Sequence, residues 1–97
     1  MTKDKCLCVI HGIDVNDTIE GLKIAISNRN IGAADRFFKD LNDNVKSIEK
    51  DCGANMKPIY TDIASIRNEL DLEDYNQAML GARSITELIK EELKKCA

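Results

Sequence analysis

Residues 31–52 read IGAADRFFKDLNDNVKSIEKDC, and their apolar members Ile31, Ala34, Phe38, Leu41, Val45, Ile48 and Cys52 advance by alternating threes and fours. That spacing lays one apolar stripe along a helix packed nearly parallel to its neighbours. The opposite side carries Lys39, Asp43, Lys46 and Lys50, a mixed-charge face suited to water. Asn28, Arg29 and Asn30 interrupt the pattern ahead of the stretch and offer capping side chains. Gly53 follows it, a residue that enters the left-handed conformation without strain and so ends helices. The stretch predicts a helix over 31–52.

Working outward, the same stripe returns 44 residues later as Tyr75, Ala78, Ala82, Ile85, Ile89 and then Cys96. A shorter stripe precedes each long one: Val15, Ile19, Leu22 and Ile26 before the first, and Ile59, Ile63, Ile66 and Leu70 before the second. The chain therefore reads as two copies of one helical hairpin of 44 residues. Asp17 with Glu20 has capping-box spacing, Asp14 and Asn16 offer alternative caps, and the first helix is expected to start at about residue 15. Pro58 suits the first position of the third helix, and Asp71 offers a cap for the fourth. Short connections make neighbouring helices antiparallel. The expected fold is all-α, an antiparallel up-down-up-down four-helix bundle over residues 14–97, with residues 1–13 as an extended segment across one end. In that topology Phe37 and Phe38 fall opposite Gly81 and Ala82, large against small across the core.

Composition narrows the function classes. Ninety-seven residues suit one domain, and 43% hydrophobic with 32% charged residues is too apolar for a disordered tail. The longest apolar run, CLCVI at residues 6–10, is far short of a membrane span or signal-peptide core, so no membrane partner is expected and the cytoplasm is the expected compartment. Fourteen basic residues scattered among seventeen acidic ones, for a net charge of −3, give no stripe for nucleic acid.

The cysteines are the most pointed feature. Cys8, Cys52 and Cys96 follow one another at 44-residue intervals, with Cys6 two positions before the first, and the topology gathers all four and His11 at one end of the bundle. Three readings stand side by side. Cys6, Cys8, His11, Cys52 and Cys96 could supply the tetrahedral thiolate and imidazole ligands of a zinc ion, with Cys6 and His11 as alternatives for one place. The thiols could form a disulfide or redox switch, although a reducing compartment makes structural disulfides unexpected. They could also be small buried hydrophobes that fill the core.

Enzymatic machinery is not expected. One histidine cannot provide a paired Glu-x-x-His di-iron site, and the five glycines are isolated rather than gathered in a phosphate loop. The residues left over from the core point to a partner instead. Leu80 and Leu88, with Ser84 between them, lie off the fourth helix's stripe, and Ile24 points away from the first helix's stripe. Such an apolar strip is covered by another chain, so the expected role is a non-enzymatic interaction or regulatory module that binds a protein partner or itself as a homodimer. The alternative is a metal-binding or thiol-redox-responsive protein using the cysteine end.

Overall fold

A computed structural model describes residues 5–94, with side chains from residue 8 onward. Four helices follow in order: α1 (Lys5–Ser27), α2 (Ile31–Cys52), α3 (Lys57–Asp71) and α4 (Tyr75–Lys94). They form an elongated bundle of 45 × 19 × 16 Å, in which α1 packs on α2, α3 on α4, and α1 on α4. The expected all-α bundle is the observed one.

Both stripes of each hairpin are buried. Val15, Ile19, Leu22 and Ile26 of α1 meet Ala34, Phe38, Leu41, Val45 and Ile48 of α2, while Ile59, Ile63, Ile66 and Leu70 of α3 meet Ala78, Ala82, Ile85 and Ile89 of α4 in one continuous core. Met56, in the α2–α3 connection, is fully buried beneath them. Gly53, at φ 67°, ends α2 as expected, donating its N–H to Glu49 O at 3.1 Å.

The two hairpins repeat down to single hydrogen bonds. After α1, the N–H groups of Asn28, Arg29 and Asn30 donate to the carbonyls of Ile24, Ile26 and Ala25 at 3.0, 3.0 and 2.9 Å. After α3, those of Leu72, Glu73 and Asp74 donate to Asn68, Leu70 and Glu69 at 3.1, 3.0 and 2.8 Å, the same set displaced by 44. Arg29 and Glu73 both take the left-handed conformation, at φ 55° and 60°. Asn30 Oδ1 then accepts from Ala33 N, and Asp74 Oδ1 from Gln77 N, so each long helix begins on an equivalent cap.

Four expectations are corrected. Helix α1 begins ten residues earlier than about 15, at Lys5, so residues 5–13 are helical and not an extended strap. Asp14, Asn16 and Asp17 imitate a cap, but burial of Cys8 in line with Val15 and Leu22 carries the helix past them. Asp71 closes α3 instead of capping α4, because the turn places Asp74 at the capping position. Of the expected large-against-small pairs, Phe37 does not meet Gly81: Gly81 is met by Ile66 of α3, and Gly21 of α1 by the ring of Phe37. Both of these close approaches lie within a hairpin.

The α2–α3 seam is the least intimate and is bridged by long side chains. Arg67 reaches Asp35 at 3.4 Å and lies 5.8 Å from the centre of the Phe38 ring. The Tyr60 hydroxyl donates to Glu49 Oε1 at 2.6 Å, and burial, this bond and the Glu49 charge push its pKa up to about 12.

Candidate functional site: an apolar groove beside a disulfide

The added turns of α1 place a cluster of groups at one end of the bundle. Cys8 faces α2 and is joined to Cys52 by a disulfide, with Cα atoms 5.6 Å apart. One turn further on, His11 Nε2 meets Asp51 Oδ2 at 2.6 Å, a second tie between the same two helices. On the α4 side Gly12 lies under Leu93, where a Cβ would come within 2.9 Å of Leu93 Cδ1.

Beside these ties the α1–α4 seam opens into a groove of about 610 Å³. Its α1 wall includes Val9, Gly12, Ile13 and Asn16, its α4 wall Thr86, Lys90 and Leu93, and Cys8 lies in its lining. Among the described residues Lys90 is the one charged side chain lining it, paired across one turn with Glu87 at 3.7 Å. Val9 is 63% and Ile13 57% exposed, and Ile10 beside them is half exposed. Three large aliphatics within two turns, open to water and next to an apolar recess, make a contiguous patch and not scattered exposure. On the other flank of α1, Asp14, Asp17, Asp40 and Asp43 surround a polar hollow in which Asn44 Nδ2 donates to Thr18 Oγ1 at 2.7 Å.

The sequence-derived site residues fall into two groups. Cys8, His11 and Cys52 come together as expected, but with their donor atoms committed to the disulfide and to Asp51. Zinc takes thiolates, so a zinc site would need both sulfurs free. Among the described residues no group of three or more His, Cys, Asp or Glu is placed to hold a metal ion. Cys96 and the side chain of Cys6 lie outside the described residues. Of the expected partner strip, Leu80 and Ser84 are exposed, whereas Leu88 is half buried against the core. Ile24 is 61% exposed on α1. The strip is therefore shorter than its sequence spacing implied. Val9, Ile10 and Ile13 were missed because they were read as part of an extended segment; their signal was the seven-residue step from Cys8 to Val15 to Leu22, which continues the α1 stripe backwards through them.

Elsewhere Glu69 is the one half-buried carboxylate whose Oε2 has no hydrogen-bond partner among the described residues. Burial, followed by the nearby Asp74 charge, raises its pKa above the ordinary carboxylate value. Its counterpart 44 residues earlier is Ala25, a core position.

No helix of the described residues is long and apolar enough to cross a membrane. Comparison of the chain with models of protein families, with curated proteins and with solved structures finds no match.

Proposed function

We propose that the chain is a non-enzymatic interaction module that works by self-association, packing its α1–α4 face against the same face of a second copy. The observation that carries this reading is the groove with Val9, Ile10 and Ile13 exposed at its mouth. A recess lined mainly by aliphatic side chains, with Asn16, Thr86 and Lys90 as its polar members, suits burial of apolar surface better than acid–base chemistry. Ile24, further along α1, extends the apolar character of the face.

Two features favour a second copy as the occupant. A symmetric pair uses one patch twice, so the protruding aliphatics and the recess beside them serve each other without any foreign surface. A two-fold axis along the bundle would set α1 of each copy opposite α4 of the other, bringing Glu20 towards Arg83 and Lys90, all exposed. The face measures at most 45 by 19 Å, which is comparable with the roughly 800 Å² per partner of a standard interface.

Sedimentation velocity over a wide concentration range tests the reading. Wild-type protein with its disulfide intact is expected to be a dimer, and the double change Val9→Glu with Ile13→Glu is expected to be a monomer with an unaltered helical spectrum. A wild type that stays monomeric at millimolar concentration refutes self-association, and so does a charged double variant that dimerises as well as the parent.

A further inference from the structure

The first two turns of α1 are an addition to the repeat. α3 begins at Lys57, whose counterpart is Ile13, so residues 5–12 of α1 have no helical equivalent ahead of α3. Taken alone they form a poor helix. They include β-branched Val9 and Ile10 and helix-weakening Gly12, and the first turn carries no acidic residue to meet the helix dipole. As the terminal turns of α1 they are the part of the helix that frays first. Tertiary ties hold them in order. Those ties include the Cys8–Cys52 disulfide, the His11–Asp51 pair and the close approach of Gly12 to Leu93. The disulfide is the only covalent one among the described residues.

We propose that Cys8–Cys52 is a redox-responsive clasp. Reduction by a dithiol frees the first turns of α1 and dismantles the Val9–Ile13 wall of the groove. In the first step a reductant thiolate bonds to one sulfur of the pair, and the other sulfur leaves as a thiolate and takes a proton. The reductant's second thiol, once deprotonated, displaces the mixed disulfide. Two electrons thus pass to Cys8 and Cys52, which end as thiols, and the dithiol ends as a cyclic disulfide. Oxidation reverses these steps with a disulfide of the same class as oxidant.

Geometry couples the clasp to the groove in both directions. Cys8 lines the groove although it is only 5% exposed, so a reductant arriving from that side meets the disulfide through the recess that a second copy would fill. Occupation should therefore slow reduction, and reduction should weaken occupation, as linkage between two events at one site requires. This coupling rests on the docking surface proposed above. The clasp itself does not, because the order of residues 8–14 can be read without a partner.

Hydrogen exchange of the full chain, oxidised and in excess dithiothreitol, separates the two. Reduction is expected to accelerate exchange at residues 8–14 by at least about tenfold while the α2 and α3 amides keep their protection. The double change Cys8→Ser with Cys52→Ser should reproduce the reduced pattern without reductant. Equal protection of residues 8–14 in both redox states overturns the clasp. Loss of protection throughout the bundle also overturns it, since the bond would then be a global staple, and so does peptide mapping that finds Cys8 or Cys52 bonded elsewhere. If residues 8–14 loosen while the sedimentation behaviour is identical in both states, the clasp stands and the docking face fails.

Discussion

Replacing Gly81 with alanine probes how closely α3 and α4 are packed, and the outcome follows from two opposed magnitudes. Alanine in place of glycine inside a helix is favourable by about 1 kcal/mol, because less backbone entropy is lost on folding. At Gly81 that gain meets a steric cost: an added Cβ would lie 2.7 Å from Ile66 Cγ1 and 3.3 Å from its Cδ1. Ile66 is fully buried, and the nearer atom is mid-chain, so it cannot swing aside cheaply. Overpacking of this kind costs about 1–3 kcal/mol, which leaves Gly81→Ala destabilised by roughly 0–2 kcal/mol. Gly32 is the control, since its Cβ would meet only Asn30 Oδ1 at an ordinary 3.7 Å. Gly32→Ala should keep most of the helix gain, about 0.5–1 kcal/mol. Urea denaturation followed by circular dichroism should therefore separate the two variants by roughly 0.5–3 kcal/mol, up to several degrees of Tm in a domain of this size. Should Gly81→Ala prove as stabilising as Gly32→Ala, the tight α3–α4 approach is wrong.

Two further outcomes follow from the repeat. Because the Glu69 carboxyl pKa is raised in the folded state, the folded chain holds that proton more tightly than the unfolded one, so its contribution is present at acid pH and is lost as pH rises through the folded value. Glu69→Gln should raise the urea midpoint at about pH 7 and leave it unchanged at about pH 3.5, and an equal gain at both would exclude titration as the cause. Asn30→Ala and Asp74→Ala each remove an equivalent cap and should cost about 1 kcal/mol apiece by thermal unfolding, whereas a cost at one site alone would mean that the two turns differ in energy despite their matching bonds.

Much of the fold was legible because α2, α3 and α4 each carry an uninterrupted stripe whose described residues are buried, apart from Ile31, which is exposed, and Tyr75, which is half buried. The start of α1 was not. Polar Asp14, Asn16 and Asp17 form a plausible cap, and what overrides them is tertiary: Cys8 is buried and bonded to α2, while Gly12 is tolerated where Leu93 covers it. The 44-residue cysteine spacing correctly brought Cys8 and Cys52 to one end. Spacing alone could not tell a bond from a ligand set or a core filler, because a disulfide requires Cβ atoms within a few ångströms, and that is a property of packing. The groove had no linear signature either, since its walls come from opposite ends of the chain.

Its origin does become readable once the two seams are compared residue by residue. The offset of 44 carries α1 onto α3 and α2 onto α4, so the α1–α4 seam corresponds to the α2–α3 seam. Tyr60 and Glu49, which bridge the latter at 2.6 Å, correspond to Asn16 and Leu93, both of which line the groove. Arg67 and Asp35, the second bridge, correspond to Lys23 and Met79. One seam is thus bridged by a tyrosine that reaches a carboxylate, while the corresponding residues of the other, a shorter asparagine and a leucine, line an open groove. Asn16→Tyr should restore the missing bulk. The ring would enter the recess between α1 and α4 with its hydroxyl at the solvent edge near Lys90, as an aromatic with one wet end requires. Filling a pre-existing apolar space without displacing core side chains should leave the unfolding midpoint unchanged or higher, while removing the pocket that a second copy would occupy. Sedimentation velocity should then find a stable monomer. A variant that still dimerises would show that association uses another face, and one that unfolds would show that the groove walls cannot accept a ring.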